Sequence, residues 1–177
     1  MTFDNDKKNA LTKLDKSTKG SIDEPIIPIL DLINEMDDYY TTSSCSGRIM
    51  IMEPSEERHV DWLYVVHGKI AVEDVKKHMT PNSWLKQTGL ILHIACRTPE
   101  AAEKMLNGLR EGGFKRAGII STKKHLIEVM STEQMAAPLE GVEDQYIGTL
   151  VREANKLMDR TELALERLKS HIIYIKQ

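Results

Sequence analysis

The last third of the chain holds the feature that most restricts its fold. Ile147, Leu150, Val151, Ala154, Leu157, Met158, Thr161, Leu165, Leu168 and Ile172 recur at steps of three or four, which is the spacing of one face of an α-helix. A helix of about 30 residues would run near 45 Å, at 1.5 Å per residue. That exceeds the width of a small domain. Such a helix must bend, overhang, or pack along the N-terminal helices or a second subunit. The stripe reads as core packing, with a coiled-coil dimer as the other option, and the sequence leaves the oligomeric state open.

Ahead of this segment, strand and helix patterns alternate. Residues 4–16 carry Leu11 and Leu14 in a weakly amphipathic helix. Ser21-x-x-Glu24 has a capping-box pattern, and Pro25 and Pro28 suit a first turn. Ile26, Ile29, Leu30 and Ile33 then predict a helix ending near Met36. Arg48 through Glu53 has apolar residues on both faces, which predicts a central strand. Trp62–Val66, Leu90–Ala95, Gly118–Ser121 and Leu126–Met130 are further strands, the last two joined by a turn at Lys123-Lys124. Val72, Val75 and Met79 mark a short helix. Thr98-Pro99-Glu100 starts another, with Thr98 as N-cap and Gly112-Gly113 as its end. Strand–helix–strand order suggests βαβ-type units. The expected class is α+β: a mixed β-sheet flanked by helices, non-Rossmann, with a long C-terminal helix.

A length of 177 residues predicts one domain over 1–177, large enough to bury about 70% of its unfolded surface. No apolar run approaches the roughly 20 residues of a membrane span. The acidic start Met1-Thr2-Phe3-Asp4 lacks a signal-peptide core. Two cysteines, Cys45 and Cys96, cannot frame a disulfide scaffold and suggest a reducing, cytoplasmic compartment. The net charge of -3 divides unevenly: -4 over residues 1–40, +3 over 41–131 and -2 over 132–177. A nucleic-acid partner would therefore meet the middle of the chain.

The densest polar cluster is Thr41-Thr42-Ser43-Ser44-Cys45-Ser46-Gly47-Arg48. Hydroxyls and successive N–H groups around a glycine can wrap an anion, and Arg48 can grip a carboxylate or phosphate with two parallel bonds. A polar hairpin turn would have the same composition. Cys45 could serve as a nucleophile if His67 or His93 approached it, but no cysteine-enzyme signature surrounds it. No Cys/His pair has zinc-ligand spacing, so no metal is expected. His93 lies in an apolar strand, as a core histidine would, whereas His67 closes a strand just before Gly68. Trp84, in the polar stretch Pro81–Lys86, could stack a base or cover the core. There is no G-x-G-x-x-G after a first strand, no P-loop and no G-x-S-x-G. Residue chemistry alone thus ends at a mixed α and β domain with one anion-binding candidate loop.

Several landmarks go further. They are Lys19-Gly20-Ser21 with Asp23, Tyr40 through Ile49, Trp62 and His67, Leu85-Lys86, Leu92-His93 with Cys96, Gly113-Phe114, Gly118-Ile119, Ser131-Thr132, Pro138-Leu139, Tyr146 and Ala154-Asn155. On these the chain resembles the tRNA wybutosine-synthesising protein 3 family over nearly its whole length. The string Thr41 to Arg48 is the most specific part. Gln87-Thr88-Gly89, Lys115 and Ala117 depart from the family's usual residues.

The resemblance implies an S-adenosylmethionine-dependent methyltransferase acting on a ring nitrogen of a 4-demethylwyosine-type base, next to the anticodon of tRNA-Phe. A non-catalytic tRNA-binding module is the alternative. On this reading Ser43, Ser44, Cys45, Ser46, Gly47 and Arg48 hold the cofactor carboxylate or a phosphate. His67 or His93 accepts the proton. Trp84 stacks a base, and Lys86, Arg97, Lys115, Arg116, Lys123 and Lys124 meet the RNA.

Overall fold

A computed structural model describes residues 2–12, 22–54 and 60–177. The expected capping box at Ser21, the Lys19-Gly20-Ser21 landmark and the helix positions after residue 12 lie outside the described residues. The chain forms two compact units. One comprises Met1–Ser46, Leu90–Ser131 and Leu163–Gln177; the other comprises Gly47–Gly89 and Thr132–Glu162.

The first unit is built on strands β1 (Tyr39–Cys45), β5 (Ile91–Cys96), β7 (Leu126–Met130) and β6 (Ala117–Ser121), which lie in the order β1-β5-β7-β6. All three pairings are antiparallel. Its core joins Leu92, Ile94, Ile127 and Val129 of the sheet to three helices. From α2 (Ile27–Asn34) come Ile29, Leu30 and Ile33. From α4 (Pro99–Glu111) come Ala102, Met105 and Leu109. The end of α5 (Asp144–Lys176) adds Leu165, Leu168 and Ile172. The starts of these helices follow local chemistry. Pro25 sits in a short 3-10 turn, Glu24–Ile26, and Pro28 in the first turn of α2. Thr98 caps α4 by accepting the Ala101 N–H at 3.2 Å. Gly113, at φ 87°, turns the chain out of α4. A first helix, α1 (Phe3–Thr12), has no buried residue.

The second unit orders its strands β3 (Val60–Val66), β2 (Arg48–Pro54), β4 (Trp84–Thr88) and β8 (Gln134–Pro138), again all antiparallel. As expected, β2 is central, with Ile49, Met50 and Ile51 buried in succession. Ile49, Ile51 and Leu85 pack against Val75 of α3 (Val72–His78) and Ile147, Leu150, Val151, Ala154 and Met158 of α5. The Asn155 side chain accepts the Ile70 N–H and donates to the Ile70 carbonyl, both at 2.9 Å, fixing the approach to α3. Gly47 needs to be glycine. Its φ is +108°, and a Cβ there would lie 2.8 Å from Thr161 Cγ2 and 3.3 Å from the Thr88 carbonyl.

The α+β, non-Rossmann class holds, and α5 runs 33 residues. Its apolar stripe is spent on the two cores. The βαβ expectation needs correction. The strands joined through a helix, β3–α3–β4 and β5–α4–β6, do run parallel, but an antiparallel strand (β2 or β7) lies between the members of each pair. These are split βαβ units. Among the described residues no helix is long and apolar enough to cross a membrane.

Candidate active site and nucleic-acid face

In the first unit the helices cover one face of the sheet. The other face carries the polar string. Contrary to a hairpin-turn reading, Thr41 to Cys45 is strand, and β1 pairs with β5 while β2 belongs to the other sheet. A bulge at Thr42 resets the register and places Ser43 opposite His93. His93 in turn lies opposite Glu128, and Glu128 opposite Gly118. Cross-strand partners share a face, so Ser43, His93, Glu128 and Gly118 form one row. The His93 Nε2–H donates to Glu128 Oε2 at 2.9 Å, and both side chains are partly exposed, at 24% and 32%. With Nε2 as donor, a neutral imidazole holds its lone pair on Nδ1. A Cβ at Gly118 would meet nothing within 4 Å, so the row ends in open space. His93 is therefore not a core histidine.

Ser46 departs from the anion-cradle expectation. Its N–H and hydroxyl both donate to Asp23 Oδ2, at 3.0 and 3.2 Å, and both residues are buried. The cradle exists, but a carboxylate of the chain already occupies it. Cys45 faces the same side as Ser43, opposite Ile91, and so is diagonal to His93. Such positions lie about 7–8 Å apart. Burial pushes the Cys96 thiol up to about 12, which leaves it inert.

The cations assigned to RNA separate into three groups. Arg97 is committed elsewhere. Its guanidinium donates to Asp4 (2.7 and 3.3 Å), Asp38 (2.8 Å) and the Asp37 carbonyl (3.0 Å), and lies 4.5 Å from the Phe3 ring centroid. It is withdrawn from the phosphate contacts. Lys115 and Arg116 precede β6, and Lys123 and Lys124 follow it, all four exposed. Five strand residues separate the pairs by about 17 Å, so they bracket an edge strand rather than form one cluster. Lys86 belongs to the other unit.

In the second unit, β2 and β4 set out three rows on the face away from the helices. Arg48 pairs with Thr88 and Thr88 with Gln134. Met50 pairs with Val65 and Lys86, and Lys86 with Ala136. Met52 pairs with Trp62 and Trp84, and Trp84 with Pro138. A bulge in β3 lets Trp62 face this side while Leu63 and Tyr64 pack toward the core. Trp84 is thus the first residue of a strand, not part of a loop. Arg48 Cζ lies 4.4 Å from the Trp62 ring centroid, so this guanidinium is engaged with an aromatic face. Its Nε is buried without a hydrogen-bond partner. His67 follows β3 directly, half-buried, in a bend with Gly68.

Toward the helical side, β4 presents Gln87, which no sequence pattern had flagged. It is fully buried. The Thr161 hydroxyl donates to the Leu157 carbonyl at 2.8 Å, so it can only accept from Gln87, whose Nε2 lies 3.4 Å away. That fixes the amide orientation. Gln87 Oε1 is left as a buried acceptor with no donor. A groove of about 380 Å³ runs along β4 and β8, lined by Lys86, Gln87, Gln134, Met135 and Ala136. The sequence offers only a polar residue beside Thr88-Gly89, with nothing to mark it as buried.

Comparison with known proteins follows this geometry. The family described as Methyltransferase TYW3 matches residues 5–173. Over 185 aligned residues the chain is 38% identical to tRNA(Phe) 7-((3-amino-3-carboxypropyl)-4-demethylwyosine(37)-N(4))-methyltransferase 1 of Pyrococcus horikoshii, covering 96% of this chain and 94% of that one. It is 32% identical to the tRNA wybutosine-synthesizing protein 3 homolog of Mus musculus, over 94% of this chain and 71% of that one. The solved PH1069 protein from Pyrococcus horikoshii superposes with a TM-score of 0.84 at 37% identity, covering 97% of this chain and 96% of that chain.

Proposed function

Because the chain belongs to the Methyltransferase TYW3 family, we infer that it is a tRNA N-methyltransferase of wybutosine or wyosine-derivative biosynthesis. Its substrate is the 4-demethylwyosine-type tricyclic base next to the anticodon of tRNA(Phe), methylated at N4. The observation that carries this is the length of the family match. Residues 5–173 span both compact units, which supports reading the 177 residues as one functional module.

The chemistry asks for three things. The acceptor nitrogen must lose a proton, the base must be held out of its stack, and water must be kept away. His93, oriented by Glu128 at 2.9 Å, fits the first requirement. The Glu128 carboxylate holds Nε2–H, directs Nδ1 as the accepting nitrogen, and stabilises the imidazolium that forms. Glu128 acts only through His93 and is a positioning residue. His67 remains the second candidate for the proton.

S-adenosylmethionine, the methyl donor we propose, supplies an electrophilic methyl on a sulfonium. The fit of this chain's residues to it is selective. Ser46 spends both donors on Asp23, so it is not assigned to the cofactor carboxylate, and Arg48, whose face lies over Trp62, keeps its in-plane donors for an anion. Ser43, Ser44, Cys45 and Gly47 stay in the proposed cofactor region. Within the second unit, the orphaned buried Oε1 of Gln87 suits an amino N–H of the donor.

The test is to incubate the protein with tRNA(Phe) carrying the demethylated tricycle and isotope-labelled S-adenosylmethionine. Nuclease digestion and mass spectrometry should locate the label on the tricyclic nucleoside. Tight tRNA binding with no label transferred would replace this reading with a non-catalytic tRNA-binding module.

A further inference from the structure

The outer face of the second unit's sheet breaks the usual rule for an antiparallel sheet. One face of such a sheet packs on the core and the other is solvated and polar. Here Ile49, Ile51 and Leu85 already supply the core face. Yet the opposite face presents Met52, Val65, Trp62, Trp84, Ala136 and Pro138 around a buried Met50. Trp62 is 47% exposed and Trp84 36%. Contiguous apolar surface of this kind marks an interaction site.

The charge on the face selects the partner. Across the three cross-strand rows the charged residues are Arg48 and Lys86, and no carboxylate appears in them. Trp62 and Trp84 flank Met52 in one row, two strand spacings or about 10 Å apart. Met50, between Arg48 and that row, is 3% exposed, as expected where an arginine stem lies along apolar neighbours. The Arg48 guanidinium ends over the Trp62 ring. Rings standing off a sheet, a planar guanidinium stacked on one of them, and cations in rows that carry no carboxylate are the elements that hold unpaired nucleotides by stacking and by phosphate attraction.

We propose that this face is a stacking platform for single-stranded nucleotides of the anticodon loop, with Trp62 and Trp84 as the stacking rings and Arg48 and Lys86 as the phosphate contacts. The proposal rests on the tRNA reading above and adds Trp62, to which the sequence had assigned no role. It also moves Arg48 from the cofactor to the RNA.

The chain has two tryptophans, and both are on this face, so intrinsic emission reports it directly. Titrating the full chain with a synthetic anticodon stem-loop of tRNA(Phe) should quench that emission. Trp62→Ala and Trp84→Ala should each weaken binding on the order of tenfold. Trp62→Phe and Trp84→Phe should retain most of the affinity, which guards against a merely unfolded variant. In transfer assays KM for tRNA should rise in step while kcat at saturating RNA holds. Binding of the stem-loop that leaves emission and the alanine variants unchanged would overturn the platform, even if methyl transfer proceeds. Concentration-dependent self-association that buries the tryptophans in the absence of RNA would overturn it in favour of a second copy of the chain. If instead the wild type binds through the tryptophans but transfers no methyl group, the platform stands and the methyltransferase reading falls.

Discussion

The two four-stranded sheets share a packing plan but use their outer faces differently. Each presents one face to helices and includes a split βαβ unit. On the first sheet the outer face carries a titratable row, Ser43-His93-Glu128, with partly exposed side chains joined by a 2.9 Å bond. On the second it carries rings, thioethers and two cations. On the reading proposed above, one face moves a proton and the other holds flat, charged ligands. In both, a β-bulge sets the chemistry: Thr42 brings Ser43 opposite His93, and the bulge near Leu63 turns Trp62 outward.

The sharpest way to break this comparison is to remove the proton acceptor. His93→Ala should lower the transfer rate by about 10²-fold or more, within the range of general acid–base catalysis, while stem-loop affinity measured by fluorescence stays near wild type. Glu128→Gln keeps an acceptor for Nε2–H but removes the charge. It should cost less and displace the pH–rate profile, a change that a purely structural role would not produce. If His93→Ala weakens RNA binding and leaves the rate at saturating tRNA unchanged, both outer faces are binding surfaces and the contrast disappears.

Gln87 sharpens the comparison from the inner side of the second sheet. An acceptor buried without a donor costs about 1–3 kcal/mol. Replacing it with methionine, of similar length and without that acceptor, should leave the denaturation midpoint unchanged or higher. The affinity for S-adenosylmethionine in calorimetry should fall on the order of tenfold. A loss of stability with unchanged affinity would make Gln87 a structural amide only.

How much of this was legible follows from the range of each signal. Periodicity is local, so the stripe of α5, the Thr98 cap and the central place of β2 could all be read. The β8 strand could not: Gln134-Met135-Ala136-Ala137-Pro138 has no β-branched residue, and its strand state comes from pairing with β4. The string from Thr41 to Arg48 was identified but not divided, since only pairing shows that β1 and β2 belong to different sheets. Occupancy was likewise hidden. Nothing in the sequence says that Asp23 fills the Ser46 donors or that Arg97 is held by Asp4, 93 residues away. Trp62 reads as an ordinary strand residue until the bulge reverses it.

The smallest effect concerns what borders the titratable face. Tyr40 shares that face, and Phe3 of α1 packs on it with ring centroids 5.1 Å apart. Since α1 buries no residue of its own, its attachment leans on Arg97, held between Asp4 and Asp38, and on Lys7 donating to the Met36 carbonyl at 2.6 Å. The Arg97 hydrogen bond holds the Asp4 carboxyl below the usual aspartate range. A depressed carboxylate favours the folded arrangement above its unfolded pKa, and that contribution is lost as the pH falls through the lower folded value. The protection factors of the α1 amides should therefore fall as the pH drops below about 4. The Asp4 and Arg97 groups are solvent-facing, so the gain is modest and should shrink with added salt. In Asp4→Asn, the protection factors of α1 should be lower already at neutral pH and lose most of their acid dependence. Unchanged protection in that variant would mean that Lys7 and the Phe3 contacts with Tyr40 and Arg97 hold α1 without Asp4.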